Sequence, residues 1–426
     1  MKKKILALLL AVAMMATLVA CGGDSGDSGS SGDGVVVTIF NSKSEIQSQF
    51  EEMAEEYNAS HDGVTLEVYY SSDTVAAHMA SKYSSNEPYV LSMVDAKDIY
   101  SLGPDHAIDL SDESYVGDTN YAITIDDQVL AVPFCIEGRG LMYNADAIEK
   151  ITGETFDPTK YTTLDAFKEL IDELKAGGME APCGVMKEDW SLAGHFFSEI
   201  YEEQEDVNAF VDSLYAGEAD LANNEKFNSL MDTFDVLRDN NYAADSAIAA
   251  ERETSEQKLA SGEIAFMFGG NWDWAVLNEY EPSENMGLMP VPQNTDDGTN
   301  EKLVGGGSKY LFIDSSDNVT DEQRQAAKDF LTWLYTEEDG NTFLTETCGV
   351  VPAFSSIPVE GLDPLSTSIA KYVEKDALIP NYDYLPDDHY SKVGATMQQY
   401  LDGKIDRAGL AKAVEDYWSS TTPVER

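Results

Sequence analysis

Basic residues are scarce in this chain: 27 lysines and arginines stand against 78 aspartates and glutamates, for a formal net charge of −51. A field of that sign repels nucleic acid, anionic membrane surfaces and phosphorylated ligands at long range. It leaves neutral and cationic ligands open, and for most of the carboxylates solubility is reason enough. Histidines are fewer still, five in 426 residues and scattered, and neither HExxH nor GxSxG occurs. Zinc-peptidase and serine-hydrolase chemistry therefore lack their residues. The four cysteines, Cys21, Cys135, Cys183 and Cys348, form no CxxC pair and no Cys/His cluster. No disulfide framework, metal site or cofactor is expected, and the last three, each beside apolar residues, read as small buried side chains.

Long apolar runs are almost absent too. The one near the start, residues 5–18 behind Lys2, Lys3 and Lys4, is too short for a stable membrane span and reads as a leader that is removed. It ends in Leu18-Val19-Ala20-Cys21, which resembles the lipobox of bacterial lipoproteins. A signal peptide over 1–20 is expected, with Cys21 carrying acyl chains as the new first residue. Two or more chains anchor firmly where one does not. Residues 22–34 hold only Gly, Ser and Asp. They can bury nothing, and as a flexible coil they reach roughly 20 Å from the lipid. The aspartates match no standard calcium loop.

What is present after residue 34 is globular. Hydrophobic residues make up 43% of the chain and there are 22 tyrosines, enough to fill the cores of two ordinary domains. Residues 35–40, 64–70 and 89–94 read as strands, alternating with helices over 45–58 and 74–83. In the first helix Ile46, Phe50, Met53 and Tyr57 recur at helical spacing. This alternation predicts an α/β fold with a mostly parallel sheet covered on both faces. Further helices are expected over 164–174 (Thr162 or Thr163 as N-cap), 227–237, 321–337 (a Thr320/Gln323 capping box), 393–401 and 407–418. Residues 264–268 read as a strand. Two apolar stretches, 131–144 and 303–313, are long enough to pass from one domain to another. No internal repeat is visible.

Several segments in order resemble the family 1 extracellular solute-binding proteins, the sugar-receptor group that includes maltose-binding protein. They are Val37-Thr38-Ile39-Phe40, Ala131-Val132-Pro133 through Glu137 to Tyr143-Asn144, and Ser261-Gly262-Glu263-Ile264 leading to Gly270-Asn271-Trp272. Met286-Gly287-Leu288-Met289-Pro290, Gly305-Gly306-Gly307 and Gly349-Val350-Val351-Pro352 follow. The resemblance implies two α/β lobes of the type II periplasmic-binding-protein fold, joined by hinge crossings near 134–139, 305–309 and 357–364. Lobe one would be 35–135 plus 306–358, and lobe two 136–305 plus 359–426. The ligand would lie between them, at the strand ends that open α/β sheets favour. The implied role is a monomeric receptor on the outer face of a bacterial cell membrane. It would close on a carbohydrate and dock on the permease subunits of an ABC importer.

A sugar asks for flat aromatic faces and planar polar groups. Trp272 between Asn271 and Asp273 offers both after one strand, although such a tryptophan also packs over its own lobe's edge. The family places Trp272 in the cleft. Trp190 matches a family position that carries a stacking aromatic, or else packs at a helix start. Trp274 can turn into the core, and Trp333 and Trp418 sit on apolar helix faces. Glu137 interrupts an apolar run and needs partners if buried. It can accept from sugar hydroxyls or pair with Arg139, which lies on the same side of an extended strand. Asn41, Lys43 and Glu45 follow the first strand, with Glu45 also suited to a helix start. Asp95 ends the third strand, where capping is the other reading. Gly305 to Gly307 lack the lysine of a P-loop, so Gly306 is expected to bring backbone near the ligand.

A glycosidase would need two carboxylates flanking a bond, and Glu137 with Asp273 can be nominated, but 78 acidic residues supply such pairs anywhere. A receptor for a polyamine or other cationic solute is the competing reading. Several carboxylates between aromatics would favour it, whereas Asn, Glu, Lys and Trp together favour a sugar. Lys43 and Arg139 turn the balance to sugar.

Overall fold

Among the described residues ten strands build one sheet: β1 (Val35–Asn41), β2 (Val64–Tyr69), β3 (Leu91–Val94), β4 (Ile123–Ile125), β5 (Gln128–Asn144), β6 (Cys183–Gly184), β7 (Phe266–Gly270), β8 (Met286–Met289), β9 (Leu303–Ile313) and β10 (Leu378–Ile379). The computed structural model describes residues 34–185, 187–359 and 361–424. The expected leader, Cys21 and the linker through residue 33 lie outside the described residues. The main path of the sheet is β2-β1-β3-β9-β5-β7-β6, with β10 beside β9 and with β4 and β8 beside β5.

The parallel sheet expected from the strand–helix alternation is found only in pieces. β1 runs parallel to β2 and β3, and β6 parallel to β7. Between these pieces β3, β9, β5 and β7 are antiparallel neighbours. The reason is the path of the chain. β5 leaves the first half of the sheet and β9 returns beside it, and two strands that go out and come back must run in opposite directions. These are the two apolar stretches whose length suggested a crossing. The helix Pro364–Glu374 packs on β8 and β5, with Leu365 and Ile369 in the first core.

Helical spacing identified the core faces. In the helix Gln47–Ser60, Phe50, Met53 and Tyr57 are buried together with Phe330 and Leu334 of the helix Asp321–Thr336, against Val37 and Ile39. The second half buries Phe167 and Leu170 of Leu164–Ala176, Phe227 and Phe234 of Glu225–Asp239, Met397 of His389–Leu401 and Trp418 of Arg407–Ser420. Thr163 caps the first of these by accepting from the Ala166 N–H at 3.3 Å. Thr320 and Gln323 exchange the two bonds of a capping box at 3.2 and 3.0 Å. Cys135 and Cys183 are buried, while Cys348, Trp274 and Trp333 are half-buried at the margins of a core. From Val35 onward the described residues form one compact unit.

Where β5 and β9 pair, Gly138 lies opposite Gly305. A methyl group on Gly305 would stand 2.6 Å from the Glu137 carbonyl oxygen and 2.8 Å from the Gly138 Cα. Both are backbone atoms with no rotamer to move. Gly305→Ala is therefore expected to cost about 1–3 kcal/mol of stability, read as a lower urea midpoint at unchanged slope.

Candidate ligand-binding cleft

At the crossing of β5 and β9 the chain leaves a cavity of about 300 Å³. Four parts of the fold contribute to it. The loop after β1 brings Lys43 and Glu45, and the end of β3 brings Asp95 and Lys97. The crossing strands bring Glu137 and Arg139 from β5, and Gly307, Ser308 and Lys309 from β9. The second half brings Trp190, His195, Glu202, Trp272, Asp383 and Tyr390.

Seven of the eleven expected ligand residues therefore meet in one place: Lys43, Glu45, Asp95, Glu137, Arg139, Trp190 and Trp272. The other four face elsewhere, for identifiable reasons. Asn41 is fully buried; its amide accepts from the Lys43 N–H at 2.8 Å and donates to the Lys43 carbonyl at 3.0 Å, which shapes the loop. Asn271 accepts from the Gly138 N–H at 3.0 Å and so ties β7 to β5. Asp273 is buried, accepting from the Gly270 N–H at 3.1 Å and pairing with Arg252. Gly306 is not on the cavity wall; its neighbours Gly307 and Ser308 are.

The charges on the wall are ordered in pairs. The Lys43 ammonium lies 2.6 Å from Glu45 and 2.5 Å from Glu137, whose other oxygen accepts from Ser308. Burial works against the charge on Lys43, but Glu137 and Glu45 outweigh it and raise its pKa well above the usual lysine range. The Glu45 carboxyl is lowered, burial being overcome by Lys43. Asp95 begins the helix Ala96–His106, yet its carboxylate accepts from Lys309 at 2.6 Å and is likewise lowered against burial. Lys309 adopts φ +50°, a left-handed conformation uncommon outside glycine. Such strain clusters at functional sites.

The pair Glu137–Arg139 does not form. Both side chains reach the cavity, as strand alternation requires, but Arg139 turns to the second half. It donates to Glu202, to Asn381 at 2.7 Å and to the His195 carbonyl at 3.2 Å, with Glu199 at 3.8 Å. The aromatic wall is continuous. His195 lies 4.8 Å from Trp272 and 5.2 Å from Trp190, and Arg252 stacks over Trp190 at 4.5 Å. Asp273 thus acts on the wall indirectly, by holding Arg252. Burial and the cations Arg139 and Arg252 push the His195 imidazole well below its ordinary value, so it is neutral at physiological pH. The Trp272 indole nitrogen and His195 Nδ1 have no hydrogen-bond partner among the described residues.

Residues that sequence reasoning missed are Lys97, His195, Glu202, Lys309, Asn381, Asp383 and Tyr390. Asn381 and Asp383 come from a loop whose signal was visible: Asn381-Tyr382-Asp383-Tyr384 stands between Pro380 and Pro386, aromatic and polar by turns, while Tyr390 comes from the helix His389–Leu401. Above the cavity Tyr100 of the first half meets Tyr384 of the second, ring centroids 4.5 Å apart. Lys97 and Asp387 stand 4.0 Å apart across the same gap. Among the described residues no group of three or more His, Cys, Asp or Glu is placed to hold a metal, and no helix is long and apolar enough to cross a membrane.

The buried carboxyls set a pH dependence. Burial raises Glu203 and Glu256, lifts Asp383 to about 7 and lifts Asp98 to about 6. The folded state keeps these protons after the unfolded chain has lost them, so their contribution to stability falls as pH rises from the ordinary carboxylate range near 4 up through the raised values. Glu45 and Asp95 act oppositely, contributing above about pH 4 and fading in acid. The melting temperature is expected to peak near pH 5 and to be lower at pH 8, a slope that Glu203→Gln should reduce in a calorimetric series.

Residues 52–381 match the family model of bacterial extracellular solute-binding proteins. The chain belongs to this family, whose members are binding proteins for transport and not enzymes. No curated protein sequence matches significantly. Among solved structures the chain is similar to apo RafE from Streptococcus pneumoniae, with a TM-score of 0.73 at 16% identity, covering 93% of this chain and 99% of that one. It is similar to a sugar transporter from Bacillus licheniformis in complex with stachyose, with a TM-score of 0.69 at 18% identity, covering 90% and 99%. It is also similar to a manno-oligosaccharide-specific protein from Bifidobacterium animalis subsp. lactis in complex with mannotriose, with a TM-score of 0.64 at 16% identity, covering 91% and 94%. The fold is that of a two-lobed solute-binding protein.

Proposed function

We propose that this protein captures a sugar or oligosaccharide between its lobes and delivers it to an ABC importer. The observation that carries the reading is the company kept by Trp190 and Trp272. Two half-buried indoles share one cavity with a Lys43–Glu137–Ser308 cluster and with Arg139. Indole faces suit the C–H surface of a pyranose, and fixed carboxylate, ammonium and guanidinium groups suit its hydroxyls. The stachyose and mannotriose complexes of similarly folded proteins point the same way. The polyamine alternative is disfavoured because four carboxylates on the wall, Glu45, Asp95, Glu137 and Glu202, are already paired with cations of the protein, which leaves a polycation one carboxylate, Asp383.

Lobe one is assigned to 35–135 plus 306–358, and lobe two to 136–305 plus 359–426. Ligand shifts the population to the closed state because only there do both lobes touch it. The Tyr100–Tyr384 contact joins the lobes in that state. A micromolar dissociation constant, about −8 kcal/mol, serves such a receptor. The protein works as a monomer, tethered outside the cell by acylated Cys21, and its closed form docks on permease subunits. A thermal-shift screen of residues 35–426 against mono- and oligosaccharides, spermidine and putrescine tests the assignment. One sugar class should raise the melting temperature, and Glu137→Ala should abolish the rise. A rise with the polyamines alone would overturn it.

A further inference from the structure

The wall of the cleft is nearly closed as a charge system, and one group is left over. Lys43 is matched by Glu45 and Glu137, Lys309 by Asp95 and Arg139 by Glu202. Lys97 stands 3.5 Å from Asp98 and 4.0 Å from Asp387. Asp383 lines the same cavity, half-buried, and among the described residues its carboxyl makes no hydrogen bond and no ion pair. It sits in the loop between Asn381, which holds Arg139, and Tyr384, which touches Tyr100. Every other carboxylate on the wall is engaged by a cation of the protein. This one is free to engage the ligand.

We propose that the cleft selects sugars that carry a free amino group, with Asp383 as the carboxylate that receives the ammonium; the proposal rests on the sugar-receptor reading above. Three features support it. A neutral sugar hydroxyl leaves Asp383 without a counter-charge, whereas an ammonium completes the pairing that every other wall charge already has. The charged groups facing Asp383 are Glu202 and Asp95, which repel its charge, and Arg139, which is committed to Glu202. Tyr100, Tyr310 and Tyr390 surround it with phenols whose ionisation burial disfavours. Burial lifts the Asp383 carboxyl to about 7 in the empty cleft, and a bound ammonium would draw it back down. The strongly negative protein also attracts a cationic sugar from solution.

Calorimetric titration of residues 35–426 at pH 7.5 tests this with matched series: glucosamine, galactosamine and β-1,4-linked glucosamine oligomers, each beside its N-acetylated and its hydroxyl counterpart. A charge-assisted bond in place of a neutral one predicts that an amine form binds roughly tenfold tighter than its counterparts. Asp383→Asn should bring that ratio down to about threefold or less. The substitution removes an unpaired charge and keeps the side chain's size and shape, so its melting temperature should equal or exceed the parent's. If hydroxyl or N-acetyl sugars bind as tightly as the amines, the receptor reading stands and the role of Asp383 falls. If the ratio survives in Asp383→Asn, the amine is read by another group and the proposal is wrong. Binding of spermidine with no binding of any sugar overturns both readings together.

Discussion

Arg139→Met is expected to lose about 3–5 kcal/mol of stability, the cost of leaving buried carboxylates without their cation. Arg139 and Glu202 are both almost fully enclosed, and Glu199, equally buried, stands 3.8 Å away. One oxygen of Glu202 accepts from Arg139 and the other from the Tyr382 N–H at 3.0 Å. Methionine fills the volume but returns none of these bonds, and Asn381 and the His195 carbonyl lose their donor as well. Burial already raises Glu202, and raises Glu199 well above the carboxylate range. Without Arg139 both should hold protons more tightly, so the variant's deficit should be larger at pH 8 than at pH 5. Urea unfolding at the two pH values measures this. Adding Glu202→Gln should recover part of the loss. A surface pair such as Lys412–Asp416 should give a far smaller loss under the same treatment, because solvent screens it.

Trp272→Ala is expected to weaken ligand binding roughly a hundredfold while moving the melting temperature little. Trp272 is only half-buried, its indole nitrogen has no partner among the described residues, and its ring contact is with His195 at the cavity wall. Little of the fold depends on it. Trp418 is the control. It is fully buried, donates to the Tyr201 hydroxyl at 3.0 Å and meets Tyr215 edge-on. Trp418→Ala should cost about 3–5 kcal/mol of stability and leave the affinity of the folded fraction unchanged. Parallel titrations and melts of the two variants separate a recognition residue from a packing residue.

The difference between these two tryptophans was readable in the sequence, because helical spacing placed Trp418 on an apolar face and Trp272 in a polar loop. The same period-based reading found the helices whose buried faces carry Phe50, Phe167 and Phe234. The crossing strands announced themselves by length. Charge pairing did not. Glu137 and Arg139 are two residues apart and were natural partners on paper, yet each bonds across the fold, to Lys43, 94 residues away, and to Glu202, 63 residues away. Local spacing fixes which side of a strand a group faces, not which distant cation reaches it. For the same reason spacing does not show that Asn41, Asn271 and Asp273 bond to the backbone that presents the cleft. The parallel sheet failed at its centre because antiparallel pairing there follows from chain path, which no local period records.

The central claim is that a sugar lies between the lobes against Trp272, and a crystal structure of residues 35–426 grown with the sugar giving the largest thermal shift tests it most directly. The account predicts a pyranose ring against Trp272 or Trp190, with hydroxyls reaching Glu137 on the hinge strand and at least one group from each lobe. A ligand held by one lobe alone, or seated away from both tryptophans, would contradict it.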